Sequence, residues 1–127
     1  MAAVIYLDTH VAAWLFAGEE KRLSRTARLA IEAHDLLLSP AALLELEYLY
    51  ETKRTTTPAA AVVEDLAGRI GLRVCDLPFP DVARAALAQR WTRDAFDRLI
   101  VGQAAMRATG LLTKDRTIRR HYSAAVW

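Results

Sequence analysis

The stretch Val4-Ile5-Tyr6-Leu7-Asp8 decides how this chain of 127 residues folds. Its apolar residues form a short run rich in β-branched and aromatic side chains, which predicts a buried strand over 4–7. Asp8 follows the run directly, and a carboxylate at the mouth of a buried strand is costly unless a positive group meets it. Because open α/β sheets bind their ligands at that end of the strands, Asp8 marks the predicted functional site.

Further apolar runs recur along the chain, with helical segments between them. More strands are predicted at 35–38, 72–75 and 111–113, with an edge strand at 124–127. Helices are predicted at about 9–17, 24–34, 40–53, 58–71, 80–90, 95–109 and 115–121. Ser24 and Ser39 are typical N-caps, Pro40 suits a first helical position, and Gly110 is typical of a helix C-terminus. Apolar strands separated by helices indicate a parallel sheet with helices on both faces.

The expected fold class is therefore α/β, a three-layer α/β/α sandwich around a central parallel sheet of four to five strands. The length suits a single domain over residues 1–127. A hydrophobic fraction of 54% places the chain in the globular class rather than the disordered one. No apolar stretch approaches the ~20 residues of a membrane span, the N-terminus lacks a signal-peptide pattern, and the single Cys75 permits no internal disulfide. We expect a cytoplasmic protein.

Glu45 is the second candidate acid, and helix geometry predicts its direction. At 100° per residue, it lies opposite Glu47 and Glu51 on the predicted helix 40–53. Its neighbours on that face, among them Tyr48, are mainly apolar, so Glu45 is predicted to be buried. A buried carboxylate needs a cation, hydrogen-bond donors or a proton, and a structural pair with an arginine is the alternative to a functional role.

Three more acids stand at the starts of predicted helices. Asp97 lines up with the apolar stripe of its helix, in the first turn, where a negative charge is favoured. Asp94 precedes it by three residues, and that spacing also fits a capping box, in which each residue would serve the other. Asp115 follows the strand 111–113 as Asp8 follows the first strand, and it could equally be the N-cap of the last helix.

Taken in chain order, these acids predict one pocket that holds a divalent cation. Hard carboxylate oxygens without a His or Cys cluster favour Mg²⁺ or Mn²⁺. The three histidines have no spacing that indicates zinc, and the sequence contains no phosphate-binding glycine loop and no nucleophile elbow. Metal-assisted hydrolysis of a phosphodiester is the reaction that fits.

Basic residues form two local clusters, around Arg22 and around Arg119. The first cluster also includes Lys21, Arg25 and Arg28, and the second Arg116, Arg120 and His121. Arginine is well suited to phosphate, so a basic rim would serve a polyanionic substrate. The alternative is that both clusters are solvated helix faces.

The chain resembles the PIN-domain ribonucleases, and more narrowly the VapC-type toxins of bacterial toxin–antitoxin pairs. The resemblance spans almost the whole chain and rests on four motifs, 7–10 (Leu-Asp-Thr-His), 39–45 (Ser-Pro…Glu), 93–100 (Arg-Asp-Ala-Phe-Asp-Arg-Leu-Ile) and 112–115 (Leu-Thr-Lys-Asp). One departure is Ala95, where close relatives usually have Pro. That difference concerns how the helix starts rather than the chemistry.

The resemblance implies a PIN-like sandwich with Mg²⁺- or Mn²⁺-dependent endoribonuclease activity. The implied catalytic acids are Asp8, Glu45, Asp94, Asp97 and Asp115. Of these, Asp8 and Asp97 would bind the metal directly, Glu45 would hold a water or act as base, and Asp115 would serve a second metal or support the first. Candidate substrate-binding residues are Thr9, Arg98 and Thr113. The resemblance also implies a homodimer and a cognate antitoxin that inhibits the enzyme from the groove, besides the RNA substrate.

Two other functions compete with this one. A non-catalytic RNA- or protein-binding module on the same scaffold would not need the acids. A phosphoryl-transfer protein would use Asp8 as its nucleophile, but haloacid-type phosphatases need a second Asp two positions on, where this chain has His10.

Overall fold

The computed structural model describes residues 3–127 of the chain. Its centre is a sheet of five strands, all parallel, in the order β3-β2-β1-β4-β5. The strands are β1 (Val4–Leu7), β2 (Asp35–Leu38), β3 (Arg73–Val74), β4 (Gly110–Leu112) and β5 (Ala125–Val126). The predicted parallel sheet is confirmed, including its fifth strand at the edge.

Seven α-helices among the described residues flank this sheet. They are α1 (Thr9–Ala17), α2 (Arg25–Ala33), α3 (Pro40–Glu51), α4 (Ala59–Ile70), α5 (Phe79–Ala86), α6 (Ala95–Met106) and α7 (Arg116–His121), with a single 3₁₀ turn at Glu20–Arg22. Ser24 and Ser39 cap α2 and α3 through side-chain oxygens, as predicted. Within residues 3–127, no helix is long and apolar enough to cross a membrane.

The order of the strands creates a switch point between β1 and β4. The chain passes from β1 to β2 to β3 in one direction, then crosses back to β4 and β5 on the other side of β1. Connections between parallel strands are right-handed, so reversing direction moves the helices to the other face of the sheet. The carboxyl ends of β1 and β4 therefore border a crevice of the kind in which open α/β sheets bind ligands.

The core lies on both faces of the sheet and consists mainly of aliphatic side chains from the strands. Ile5, Leu7 and Leu38 are almost fully buried. Cys75 is buried as predicted, and its Sγ accepts a hydrogen bond of 2.9 Å from the Tyr6 hydroxyl. Burial raises the pKa of the Tyr6 hydroxyl, which therefore remains a donor at neutral pH.

Two predicted helix ends are wrong, one beside a local change of backbone conformation and the other beside a tertiary contact. Gly110 does not end a helix: α6 ends earlier, Ala108 adopts the positive φ of 50°, and Gly110 begins β4. A Cβ on Gly110 would lie 3.2 Å from the Ile5 side chain. The helix predicted at 80–90 ends at Ala86, where the guanidinium of Arg98 donates to the last carbonyls.

The predicted burial of one face of α3 is only partly observed. Ala42 and Leu46 are buried, but Tyr48 is 48% exposed, as is Leu44. Tyr48 packs edge-on against Phe96 of α6, with ring centroids 5.5 Å apart. The face that carries Glu45 is therefore buried at Ala42 and exposed at Tyr48, next to α6, and Glu45 itself is half-buried.

Candidate active site

Asp8 lies at the carboxyl end of β1 and is only 4% exposed. Its backbone N–H continues the ladder to β4 by donating to the Leu112 carbonyl at 2.9 Å. Its side chain caps α1, with Oδ1 accepting from the Thr9 N–H at 2.8 Å. The other oxygen, Oδ2, accepts from the Thr113 hydroxyl at 2.6 Å. Asp8 is thus held in one orientation by the two elements that border the crevice.

Thr113 connects the ends of the two central strands. It is fully buried, and its Oγ1 also accepts the Asp115 N–H at 3.0 Å. Asp115 in turn caps α7, because its Oδ1 accepts the N–H groups of Thr117 and Ile118. The predicted N-cap role of Asp115 is confirmed, and the cap occupies one of its two carboxylate oxygens. Thr113, a candidate for substrate binding, has its hydroxyl engaged by the two acids.

Glu45 reaches the crevice from α3 and is hydrogen-bonded to α1. The Thr9 hydroxyl donates to Glu45 Oε1 at 2.5 Å. This threonine, not an arginine, is the hydrogen-bond partner of Glu45, so the predicted alternative of an arginine pair is wrong. Burial raises the pKa of Glu45, the Thr9 hydrogen bond lowers it, and the nearby charges of Asp8 and Asp94 raise it further.

Asp94 and Asp97 come from the start of α6 and form only half of a capping box. Asp94 Oδ1 accepts the Asp97 N–H at 3.0 Å, so Asp94 is an N-cap. The return bond is absent, because the Asp94 N–H donates to Thr92 Oγ1 at 3.1 Å instead. Within residues 3–127, the Asp97 carboxylate takes part in no hydrogen bond, which leaves both of its oxygens available.

The charges of the other four candidate acids act on Asp97. Its pKa is raised to about 7, first by burial and then by the carboxylates of Asp94, Asp8, Asp115 and Glu45, in that order. Neighbouring charges raise the pKa of a carboxylate in this way only when they are close to it. The structure therefore brings the five sequence-predicted acids into one cluster. We call Asp8, Glu45, Asp94, Asp97 and Asp115 the acidic cluster.

The donor set of the acidic cluster fits a hard divalent cation. Among the described residues, no three His, Cys, Asp or Glu side chains form a ready-made metal cage. However, Mg²⁺ is commonly held by one or two carboxylates, with waters and substrate phosphate oxygens as its other ligands. The acidic cluster contains carboxylate oxygens of this kind, and a bound cation would relieve the repulsion between its carboxylates. The residues therefore fit the ion that the sequence predicted.

His10 is a site residue that the sequence analysis missed. Its Nδ1 lies 3.5 Å from Asp8 Oδ2, and its Nε2 accepts the Lys114 N–H at 3.2 Å. Because Nε2 accepts, the proton of a neutral ring is on Nδ1, which faces Asp8. Only its position two residues after Asp8 could have indicated this contact, since a helix begins between them.

Arg98 is placed differently from the acids. Its Nε donates to the Ala86 carbonyl at 3.1 Å and its Nη2 to the Leu87 carbonyl at 3.3 Å. These bonds direct the guanidinium to the end of α5. They satisfy carbonyls that a helix end leaves without partners, so in this structure Arg98 serves the packing of α5 against α6. Gly102 serves it too, since a Cβ there would lie 2.9 Å from the Ala86 nitrogen.

Comparison with known proteins agrees with this fold and site. The PIN domain model matches residues 5–123. The chain is 35% identical over 122 residues to Ribonuclease VapC22 of Mycobacterium tuberculosis, which covers 92% of this chain and 91% of that protein. It also resembles a chain in the crystal structure of VapBC2 from Rickettsia felis bound to a DNA fragment from their promoter. That match has a TM-score of 0.67 at 16% identity and covers 92% of both chains.

The family match spans most of the chain and includes every member of the acidic cluster. The chain therefore belongs to the PIN-domain family, and within it to the VapC type that the mycobacterial relative represents. The structural match, at its low identity, supports the shared fold alone.

Proposed function

We propose that this protein is an Mg²⁺- or Mn²⁺-dependent endoribonuclease and the toxin of a toxin–antitoxin pair. One observation carries the proposal: carboxylates from four separate parts of the chain converge at the β1/β4 switch point, where burial and the neighbouring charges together raise the pKa of Asp97 to about 7. The ribonuclease name of a relative at 35% identity supports the same activity.

Each acid has a different proposed role, which follows from its hydrogen bonds. Asp8 and Asp97 would hold the metal, Asp8 from a fixed position and Asp97 through a carboxylate that makes no other bond within the described residues. Asp94 and Asp115 each use one oxygen as a helix cap and contribute charge with the other. Glu45 has Oε1 on Thr9 and Oε2 available to accept a proton from the attacking water.

The raised pKa of Glu45 suits this role, since a general base works best when its pKa lies nearer the working pH. When bound, Mg²⁺ or Mn²⁺ supplies activation of the water and stabilisation of charge on the leaving oxygen. Thr9 and Thr113 act as positioning residues for Glu45 and Asp8. This positioning role does not require contact with the substrate.

The proposed partners follow from the charge of the site. A cognate antitoxin that places an arginine or lysine among the acids would neutralise them and block the metal. The VapBC2 complex from Rickettsia felis, to which this fold is similar, supports the expectation of such a partner. We propose in addition that the protein forms a homodimer and acts in the cytoplasm.

The test is cleavage of total bacterial RNA by the purified protein with Mg²⁺, with Mn²⁺ and with EDTA. We expect discrete cuts that require metal. Titration calorimetry with Mn²⁺ on the same sample establishes whether the acidic cluster takes up the ion. Metal binding without any cleavage would favour the alternative, a non-catalytic binding module on the PIN scaffold.

A further inference from the structure

A second feature is a pair of stacked rings, each preceded by an arginine in the chain. The ring centroids of Trp91 and His121 are 5.1 Å apart, and the ring planes differ by only 4°. The Trp91 indole N–H is held by Gln89 Oε1 at 2.8 Å, and His121 Nδ1 is 3.0 Å from the Thr117 carbonyl. The proposed catalytic chemistry uses neither ring.

His121 is the outer member of this stack. It is exposed, whereas Trp91 is half-buried and packs against the core. The indole stacks on one face of the imidazole, and His121 as a whole remains exposed. Trp14, another half-buried tryptophan, differs because His10, Trp127 and Arg22 all pack around it.

Each ring of the stack is close in the chain to a member of the acidic cluster. Trp91 precedes Asp94 by three residues, and His121 ends the helix that Asp115 caps. At 1.5 Å per residue, α7 spans roughly 9 Å, so His121 lies about that far along α7 from Asp115. The path from the stack to the acids is therefore short.

The arginines around the stack lack acidic partners. Arg90, Arg116 and Arg120 are exposed, and none of them forms an ion pair within residues 3–127, although the arginines of α4 and α5 do. Arg116 and Arg120 are four residues apart, so they share one face of α7. The arginines and the exposed His121 ring thus combine unpaired positive charge with an aromatic ring. This combination is complementary to single-stranded nucleic acid.

We infer that Trp91, His121, Arg90, Arg116 and Arg120 form a binding surface for the single-stranded RNA whose backbone enters the acidic cluster. One unpaired nucleobase extends the stack on the open face of His121, and the arginines bind the adjoining phosphates. Sequence-tolerant stacking of this kind selects unpaired over duplex RNA. The inference rests on the proposed function, since it names the form of RNA that reaches that site.

The test measures binding separately from cleavage, using Asp8→Asn protein and a fluorescently labelled single-stranded oligoribonucleotide. We expect His121→Ala to weaken binding by about tenfold, because one stacked base contributes roughly that factor or more. His121→Phe retains an aromatic face and is expected to bind as tightly as the parent. Because His121 is exposed, neither substitution threatens folding.

A charge test and its control complete the design. Arg120→Gln should reduce the salt dependence of binding by about one unit of slope or slightly less. Arg73→Gln removes the same charge from an exposed position on β3, the strand at the opposite edge of the sheet from β5, and should leave the slope unchanged. A hairpin duplex of the same length should bind more weakly than the single strand.

Equal affinity of His121→Ala, His121→Phe and the parent would overturn the inference, as would equal affinity for duplex and single strand. The same would hold if these variants bound RNA normally but lost the cognate antitoxin, since the surface would then serve a protein. None of these results bears on whether metal-loaded wild-type protein cuts RNA, so the proposed function fails or stands by its own assay.

Discussion

The acidic cluster has two halves that differ in how they are held. In the inner half, the carboxylates of Asp8 and Glu45 are fixed by the hydroxyls of Thr113 and Thr9. In the outer half, Asp94 and Asp115 serve as helix caps, and Asp97 has a raised pKa. The inner half is thus a preformed support, whereas the outer half accumulates repulsion that a cation would relieve.

This difference indicates how one small domain can carry five carboxylates without unfolding. Hydrogen bonds to the inner pair repay part of their desolvation, and helix N-termini favour negative charge near Asp94 and Asp115. Asp97 lies in the first turn of a helix, but none of the described residues donates a hydrogen bond to its carboxylate, and the neighbouring acids repel its charge. It is the residue that metal binding should affect most.

The largest expected effect comes from breaking the inner half at Asp8. Asp8→Asn keeps the shape but removes the charge, and cleavage should fall on the order of 10²–10³-fold or more. The measurement is the cleavage rate in Mn²⁺, with circular dichroism to check the fold. Asp76→Asn is the matched control, because Asp76 is an exposed aspartate shortly after β3. Undiminished cleavage by folded Asp8→Asn would contradict the proposed mechanism.

The next prediction concerns the outer half, where protons compete with metal. The folded-state pKa of Asp97, about 7, exceeds its ordinary value of 3.8, so the metal-free protein loses stability as pH rises from about 4 to about 7. Metal binding must displace that proton, and affinity for Mn²⁺ should weaken roughly tenfold per pH unit below about 7. Calorimetry at pH 5.5 and 7.5, in buffers of different ionisation enthalpy, measures both affinity and proton release.

Asp97→Asn sharpens this test because it cannot ionise. Without metal, the variant should be more stable than wild type at pH 8, and the two should converge towards about pH 3, below the ordinary pKa of 3.8, where Asp97 is protonated in both the folded and the unfolded state. With Mn²⁺, wild type should gain stability through ligand binding and the variant should gain little. Thermal melts at both pH values provide the comparison. A wild type as stable as the variant at pH 8 without metal would argue against repulsion in the outer half.

A smaller effect is expected from Thr113→Val, which keeps the shape of the side chain but removes its hydroxyl. The substitution removes a donor from Asp8 and an acceptor from the Asp115 N–H. Loss of a buried partner costs about 1–3 kcal/mol, which denaturant unfolding would detect. Thr26→Val, at an exposed position on α2, should change stability by no more than about 0.5 kcal/mol. Equal stabilities would mean that Thr113 does not support Asp8.

The smallest expected effect comes from Thr9→Val. The Thr9 hydroxyl lowers the pKa of Glu45, so its loss should raise that pKa further. If Glu45 is the base, cleavage is lost as pH falls through its pKa, and the variant should lose it at higher pH. The deficit should be about two- to tenfold on the acid side of the pH profile, from the value of one hydrogen bond, and vanish in alkali. Thr9→Ser should restore the wild-type profile, and a deficit that is independent of pH would assign Thr9 another role.

Much of the fold could be predicted from local patterns. The bounds of β1 and β2 agree with the structure because a short apolar run with β-branched residues has few alternatives. The starts of α2 and α3 agree because a serine cap acts within three residues. The end of α5 could not be predicted, because Arg98 of another helix binds its last carbonyls. The end of α6 could not be predicted either, because the positive φ falls on Ala108, a residue type that does not indicate a helix end.

For the candidate site, residue types were predictable but partners were not. The acids were found because burying a carboxylate next to an apolar strand or stripe is costly unless it has a binding partner. The hydroxyl partners Thr9 and Thr113 come from other elements, so nothing local reveals what they bind. The contact of His10 with Asp8 and the half-exposed face of α3 were missed for the same reason.

The sequence by itself determined the class of fold, most helix starts and the acids, because each depends on neighbours within a few residues. Only the tertiary structure decided that β1 lies between β2 and β4, which places Asp8 beside Thr113 and Asp115. It alone placed Trp91 against His121. The physical reason is range: caps and apolar periodicity act over a turn or a strand, whereas hydrogen bonds across the crevice and charges on Asp97 join residues far apart in the chain.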